Sequence, residues 1–110
     1  MSTLVTVDPI ETFFDELGKR AHVPLLDHVS GILEFDIEGR DRRWATVNRG
    51  DLVVSRIPIK ADCVLSSDAQ TFTRILAGEQ NAVAATIRGA LKVTGDVALG
   101  LSIQRVAEPE

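Results

Sequence analysis

The sequence predicts one α+β domain, in which about four to five helices cover one face of a five-stranded, mainly antiparallel sheet. Hydrophobic residues recur at helical spacing near the start of the chain and in its second half, and they alternate with polar residues in between. The chain has 110 residues, 45% of them hydrophobic and 25% charged, which suits a single domain with its own core. An antiparallel sheet covered on one side keeps its other face polar, as the alternation requires.

The first helix is predicted to begin after Asp8. Aspartate is a favoured N-cap, Pro9 suits the first helical position, and Glu11 stands three residues after the cap, as in a capping box. Pro24 disfavours continuation of the helix beyond His22. The apolar stripe of this helix consists of Ile10, Phe13, Phe14, Leu17 and Ala21.

Strict alternation over residues 32–38 predicts the first strand. Turns separate it from strands over residues 43–48 and 52–56, and a fourth strand over 60–65 follows Pro58. Four short strands joined mostly by tight turns predict an antiparallel meander. On the first strand the inward side chains are Leu33, Phe35 and Ile37, and the outward ones are Glu34, Asp36 and Glu38.

The second half of the chain returns to helical signals. Ser67 is placed to cap one helix, and Asn81 is placed to cap a second, alanine-rich helix over residues 82–88. A fifth strand is predicted over residues 90–94, and Asp96 is placed to cap the final helix.

Composition argues against several classes of function. Twelve basic residues against sixteen acidic ones give a net charge of −4, which disfavours binding to a nucleic-acid backbone. One cysteine excludes an internal disulfide and a multi-cysteine zinc site. The apolar runs are too short to span a membrane, and neither end resembles a secretory signal or a peroxisomal address. We therefore expect a cytoplasmic protein that binds no nucleic acid.

The polar residues offer little for catalysis. Cys63 alternates with apolar neighbours and is expected to be a buried, inert thiol. His22 and His28 flank Pro24 without the partner spacing of a metal site, and no glycine-rich phosphate-binding motif is present. We expect no catalytic residue, no metal and no cofactor.

The densest basic segment contains Arg40, Arg42 and Arg43 and is interrupted by Asp41. Two interpretations are open for it. It is either a solvated turn or a surface that docks on an anionic head group or an acidic partner.

Several segments resemble the sterol carrier protein-2 (SCP2) domain family. They are residues 61–68 with the following Phe72, residues 76–79, and the strand and Gly-Asp turn over 89–96. Residues 43–47 and 50–54 look like the second and third strands of that family. The resemblance covers about residues 8–106, and the strand that ends in the Gly-Asp turn is its most specific part.

The resemblance implies a non-catalytic protein that holds a lipid in an apolar tunnel between sheet and helices. The ligand would be a fatty acyl, sterol or isoprenoid-type lipid, and a membrane surface or a lipid-using enzyme would be a transient partner. Gly100 weakens the last helix, which makes that helix a candidate for the mobile wall of the tunnel. The predicted lining residues are Phe35, Trp44, Phe72, Leu76, Ile87, Leu99, Leu101 and Ile103.

Three alternatives stay open. Residues 95–101 also resemble accessory factors of ubiquinone biosynthesis, which handle polyprenyl lipids. The apolar residues could instead fill a close-packed core, because periodicity does not separate a core from a cavity, and the chain would then be a structural or interaction domain. An enzyme of another α+β type would need a buried acid–base group, such as Asp62 or His28 with a displaced pKa.

Overall fold

A computed structural model describes residues 8–20 and 22–102. Within these ranges the chain forms four α-helices, one 3₁₀ turn and five strands, so the predicted α+β class and five-stranded sheet are confirmed. In chain order the elements are α1 (Pro9–Arg20), the 3₁₀ turn (Pro24–Leu26), β1 (Ser30–Ile37), β2 (Arg43–Asn48), β3 (Asp51–Ser55), β4 (Cys63–Ser67), α2 (Ala69–Leu76), α3 (Ala82–Ile87), β5 (Leu91–Gly95) and α4 (Val97–Leu101).

The strands form one mixed sheet in the order β3-β2-β1-β4-β5. The pairs β1–β2, β2–β3 and β4–β5 are antiparallel, whereas β1 and β4 are parallel. The predicted four-strand meander is therefore wrong in its last member, because β4 adds to the free edge of β1 instead of to β3. A parallel neighbour is not reached by a tight hairpin, so the segment 56–62 carries the chain past β2 and β1.

Alternation along β1 gives the sheet two different faces. Leu33, Phe35 and Ile37 are each at most 2% exposed and lie on the helix-covered face, as predicted. Glu34 and Asp36 point to the opposite face, where they are only partly buried. The core thus lies on one side of the sheet, between it and the helices.

Side-chain caps start the later helices. Asn81 and Asp96 accept hydrogen bonds from the first turns of α3 and α4, as predicted. The cap of α2 is Asp68 instead of Ser67, and its Oδ1 accepts from the backbone N–H of Thr71 at 2.6 Å. The cap lies one residue later than predicted because β4 continues through Ser67.

Gly100 lies where α4 touches the sheet. A Cβ built at this position would lie 2.7 Å from both Cys63 Sγ and Val93 Cγ1, well inside van der Waals contact. The missing side chain lets α4 pack directly on β4 and β5. Glycine therefore has a packing role here, and its predicted role in helix mobility stays a prediction.

Candidate functional site

All four phenylalanines of the chain meet in one cluster between the sheet and the first two α-helices. Phe13 and Phe14 come from α1, Phe35 from β1 and Phe72 from α2. Every pair of rings has its centroids between 5.1 and 6.5 Å apart. Only Phe14 and Phe72 are stacked, and the other pairs meet edge to face, which is a favourable geometry for aromatic rings.

A buried cation borders this aromatic cluster. Arg43 at the start of β2 is 4% exposed, and the carbon of its guanidinium lies 5.0 Å from the centroid of the Phe14 ring. Its Nη2 donates to the carboxylate of Glu11 on α1, and its Nη1 donates to the backbone carbonyl of Asp41 at 2.7 Å. The ion pair fixes α1 to β2 and satisfies a charge that would be costly to bury alone.

The prediction that Arg43 begins the second strand is confirmed, but the expectation that it belongs to an exposed basic segment is wrong, because its side chain is buried. Arg43 is the first residue of β2 and has the same strand parity as Ala45 and Val47, which are both buried on the helix side. That parity was visible in the sequence, and it was the signal that could have identified Arg43 as an inward residue. The carboxylate that neutralises it comes from α1, which is distant in sequence.

A cleft of about 340 Å³ opens beside Arg43, between α1 and β3. Phe14 and Val54 give it an apolar wall, and Arg43 and Arg56 give it two cations. The Nη2 atom of Arg56 lies 3.6 Å from Glu11 Oε1, so the two arginines share one carboxylate. The cleft is lined by Phe14, Asp15, Gly18, Arg43, Val54, Ser55 and Arg56.

The predicted lining residues do not all lie together. Phe35 and Phe72 are in the aromatic cluster, and Leu99 is a buried residue of α4. Leu76 and Leu101 are partly buried and pack against the same core. Three others lie elsewhere: Ile87 is 81% exposed on α3, Trp44 is on the opposite face of the sheet, and Ile103 lies outside the described residues.

Trp44 is separated from Phe35 by the register of β1 and β2. It stands directly opposite Glu34, and residues opposite each other in antiparallel strands share a face. Its indole Nε1 donates to Glu34 Oε1 at 3.1 Å. A cavity between the sheet and the helices therefore does not reach Trp44.

The arginines of the 40–43 turn are neutralised by nearby carboxylates. Arg40 Nη2 lies 2.8 Å from Asp8 Oδ2, and Arg42 lies 3.2 Å from Glu34 and 3.5 Å from Asp36. Arg43 is bound to Glu11, as described above. The turn is therefore not a free positive surface, which disfavours its interpretation as a docking site.

The groups considered for catalysis lie outside the core or are inert. Asp62 and His28 are both exposed, contrary to what a buried acid–base group requires. Cys63 is 1% exposed, and burial raises the pKa of its thiol, so the nucleophilic thiolate is disfavoured. Among the described residues no His, Cys, Asp and Glu cluster has the geometry of a metal site. None of the described helices is long and apolar enough to cross a bilayer.

His22 binds two carboxylates. Its Nδ1 lies 2.8 Å from Asp51 Oδ1 and its Nε2 lies 2.9 Å from Asp27 Oδ1. Hydrogen bonds to Asp51 and then Asp27 raise the pKa of His22, because both ring nitrogens can donate only in the imidazolium form. His22 thereby joins the loop after α1 to the start of β3, which is a structural role.

Comparison with known proteins agrees with the fold. The SCP-2 sterol transfer family matches residues 11–108. Hydroxysteroid dehydrogenase-like protein 2 from Xenopus laevis is 24% identical over 102 residues, which make up 89% of this chain and 24% of that protein. The chain thus spans about a quarter of the length of this curated relative.

Solved structures share the same architecture. The sterol carrier protein domain 2 of Helicoverpa armigera matches with a TM-score of 0.68 and 19% identity, covering 100% of this chain and 98% of that one. The stereoselective inverting sec-alkylsulfatase Pisa1 from Pseudomonas sp. matches with a TM-score of 0.74 and 21% identity, covering 96% of this chain but 17% of that one. At these identities the likeness is one of fold.

Proposed function

Because the chain belongs to the SCP-2 sterol transfer family, we propose that it is a non-catalytic lipid carrier. It holds one fatty acyl, sterol or isoprenoid-type molecule in the apolar layer between the sheet and the helices and does not change it chemically. The observation that carries this proposal is the aromatic cluster of Phe13, Phe14, Phe35 and Phe72, which adjoins the cleft between α1 and β3. An apolar site with a few polar groups at its mouth is what an amphipathic ligand requires.

The lipid chain is accommodated by movement of α1. The four rings are in mutual contact, so an acyl chain does not fit between them as they stand. Displacing α1 from the sheet separates Phe13 and Phe14 from Phe35 and Phe72 and opens the layer. The apparent affinity is then the intrinsic affinity multiplied by the fraction of molecules in the open state.

The cleft beside Arg43 selects an acidic head group. The carboxylate of a fatty acid has the charge and shape of the Glu11 carboxylate, which Arg43 and Arg56 hold in the closed state. When α1 moves, Glu11 moves with it, and the ligand carboxylate takes its place on the two guanidinium groups. Among the three lipid classes, this favours fatty acids as the ligand.

Native mass spectrometry tests the proposal. Protein purified from its host is first measured for a stoichiometric lipid mass, and the lipid is then extracted and identified. Stripped protein is next offered a long-chain fatty acid and the fatty alcohol of the same length. We expect a one-to-one complex with the acid to form more tightly than one with the alcohol.

Arg43→Met separates the head-group interaction from the apolar one. It removes the cation but keeps a long side chain, so the affinity for the acid relative to that for the alcohol should fall by about tenfold, whatever the change in the ease of α1 movement, which acts on both lipids alike. Arg88→Gln, at an exposed arginine of the α3 C-cap, is the matched control and should bind both lipids as the wild type does. A chain that carries no lipid and takes up none from a panel would overturn the proposal and favour a domain with a filled core.

A further inference from the structure

We propose that the loop formed by residues 56–60, between β3 and β4, docks the protein on the surface of a bilayer that contains anionic lipids. The loop reads Arg56, Ile57, Pro58, Ile59 and Lys60, and every one of these residues is exposed. It thus presents two large aliphatic side chains between two cations and contains no acidic residue. This inference deepens the proposed carrier function and rests on it for its biological purpose.

The isoleucines form an exposed apolar tip. Ile57 is 76% exposed and Ile59 is 49% exposed. Large aliphatic side chains grouped on a surface mark a site that is covered by a partner or a membrane. Insertion of this tip into the interfacial region would bury apolar surface that water now covers.

The backbone of the tip is suited to a poorly hydrated environment. Pro58 has no N–H group, and the N–H of Ile57 already donates to Ser55 Oγ at 2.9 Å. An unpaired backbone donor would oppose entry into the interface, because its lost hydration is not replaced there. Two of the N–H groups that this segment would otherwise present are therefore absent or satisfied.

The cations at the base of the loop indicate that its partner is an anionic bilayer. Arg56 is 65% exposed and only shares Glu11 with Arg43, and the described residues form no ion pair with Lys60. In contrast, the arginines at positions 40, 42 and 43 each have a carboxylate close by. Cationic side chains beside an apolar tip can extend to lipid phosphates while the tip enters the interface.

The net charge of the chain favours one orientation of the molecule at an anionic membrane. With a net charge of −4, most of the surface is repelled by an anionic membrane, so the molecule should approach it with this loop first. Arg56 also lines the cleft beside Arg43 and Phe14. Docking would therefore bring the mouth of the proposed lipid site to the bilayer, from which a lipid must be taken.

Cosedimentation with vesicles tests the inference. Wild-type protein is mixed with vesicles of phosphatidylcholine alone and with vesicles that also contain phosphatidylserine, and we expect binding only to the second. Ile57→Ser with Ile59→Ser should lower the partition coefficient by about tenfold, through the lost apolar burial. Lys60→Glu should lower it by about thirtyfold, because a charge reversal removes one attraction and adds a repulsion.

Matched controls distinguish this loop from general properties of the surface. Val83→Ser with Ile87→Ser removes a similarly exposed aliphatic pair on α3, where the two residues are 47% and 81% exposed. Lys92→Glu on β5 changes the net charge by the same amount as Lys60→Glu, at another exposed lysine. Both controls should bind vesicles almost as the wild type does.

The outcomes separate this inference from the carrier function. The isoleucine double variant should still take up fatty acid in solution, where no bilayer is present, as measured by native mass spectrometry. Equal binding to both vesicle types, an equal loss in the α3 control, or unchanged binding by the loop variants would overturn the docking inference and leave the carrier function standing. An acidic protein as the true partner would leave the wild type unbound to either vesicle, which also overturns it.

Discussion

Removal of Glu11 should destabilise the protein more than removal of Arg43, its partner in the ion pair. The side chain of Arg43 is 5% exposed and that of Glu11 is 36% exposed. Glu11→Ala leaves a desolvated guanidinium without its carboxylate, at a cost of about 2 kcal/mol in the free energy of unfolding. Arg43→Met removes the buried charge and leaves a carboxylate that water and Arg56 can reach, so the cost should be below about 1 kcal/mol.

Urea unfolding, followed by far-ultraviolet circular dichroism and by the fluorescence of Trp44, measures these costs. For a domain of this size we take a slope of about 1.3 kcal/mol per molar urea, so Glu11→Ala should lower the midpoint by about 1.5 M. Arg43→Met should lower it by less than about 0.8 M. The double variant should resemble Arg43→Met alone, because the charge that Glu11 neutralises is then gone.

Glu16→Ala is the control for loss of a carboxylate on the same helix. Glu16 is 63% exposed and pairs with Lys19 at 3.9 Å, so its removal should change the free energy of unfolding by less than about 0.5 kcal/mol. If Arg43→Met costs as much as Glu11→Ala or more, burial of the guanidinium is not what makes the pair asymmetric.

Three further predictions concern pH, packing and the aromatic cluster. The pKa of His22 is raised above its ordinary 6.5, chiefly by its hydrogen bond to Asp51. The stabilising effect of His22 is therefore full below pH 6.5 and is lost as the pH rises through the elevated pKa. In a profile of melting temperature against pH, His22→Gln should remove the decrease over this range. In thermal melts, Gly100→Ala should destabilise the fold by about 1–3 kcal/mol, because the new Cβ would overlap side chains of the sheet. Gly18→Ala should instead stabilise α1 by about 0.5–1 kcal/mol, because its Cβ would have no atom within 4 Å. Phe72→Leu should lower the free energy of unfolding by about 1–2 kcal/mol, because it removes part of the aromatic cluster. It should nevertheless tighten lipid binding in titrations, because a looser cluster opens more readily. Weaker binding would contradict the need for α1 to open.

Local features of the fold could be predicted from the sequence because they depend on near neighbours. The β2 strand begins and ends where the flanking turns predicted, and the caps at Asn81 and Asp96 needed only residues within one helical turn. The buried face of β1 followed from its parity alone. The family could also be predicted, since its motif of a strand and a Gly-Asp turn is a local pattern.

The candidate site was predicted only in part. Phe35 and Phe72 were predicted as lining residues, and they lie in the aromatic cluster, whereas Trp44 lies on the other face because the pairing of β2 with Glu34 places it there. Strand register depends on residues far apart in sequence, so periodicity within one strand does not determine it. Ile87 shows the same limit for helices, since a short helix does not reveal which face will find a partner.

Periodicity and capping signals thus located most of the helices and strands and the apolar face of β1, and local motifs indicated the family, although the strand predicted over residues 60–65 lies at Cys63–Ser67. Other features depend on the folded arrangement: the pairing of β4 with β1, the burial of Arg43 against Glu11 and Phe14, and the neutralisation of the turn at residues 40–43. The same structure left the 56–60 loop with unburied isoleucines between cations. The difference comes from the range of the interactions, because periodicity and capping act within a few residues, whereas strand order and ion pairing join residues that folding brings together.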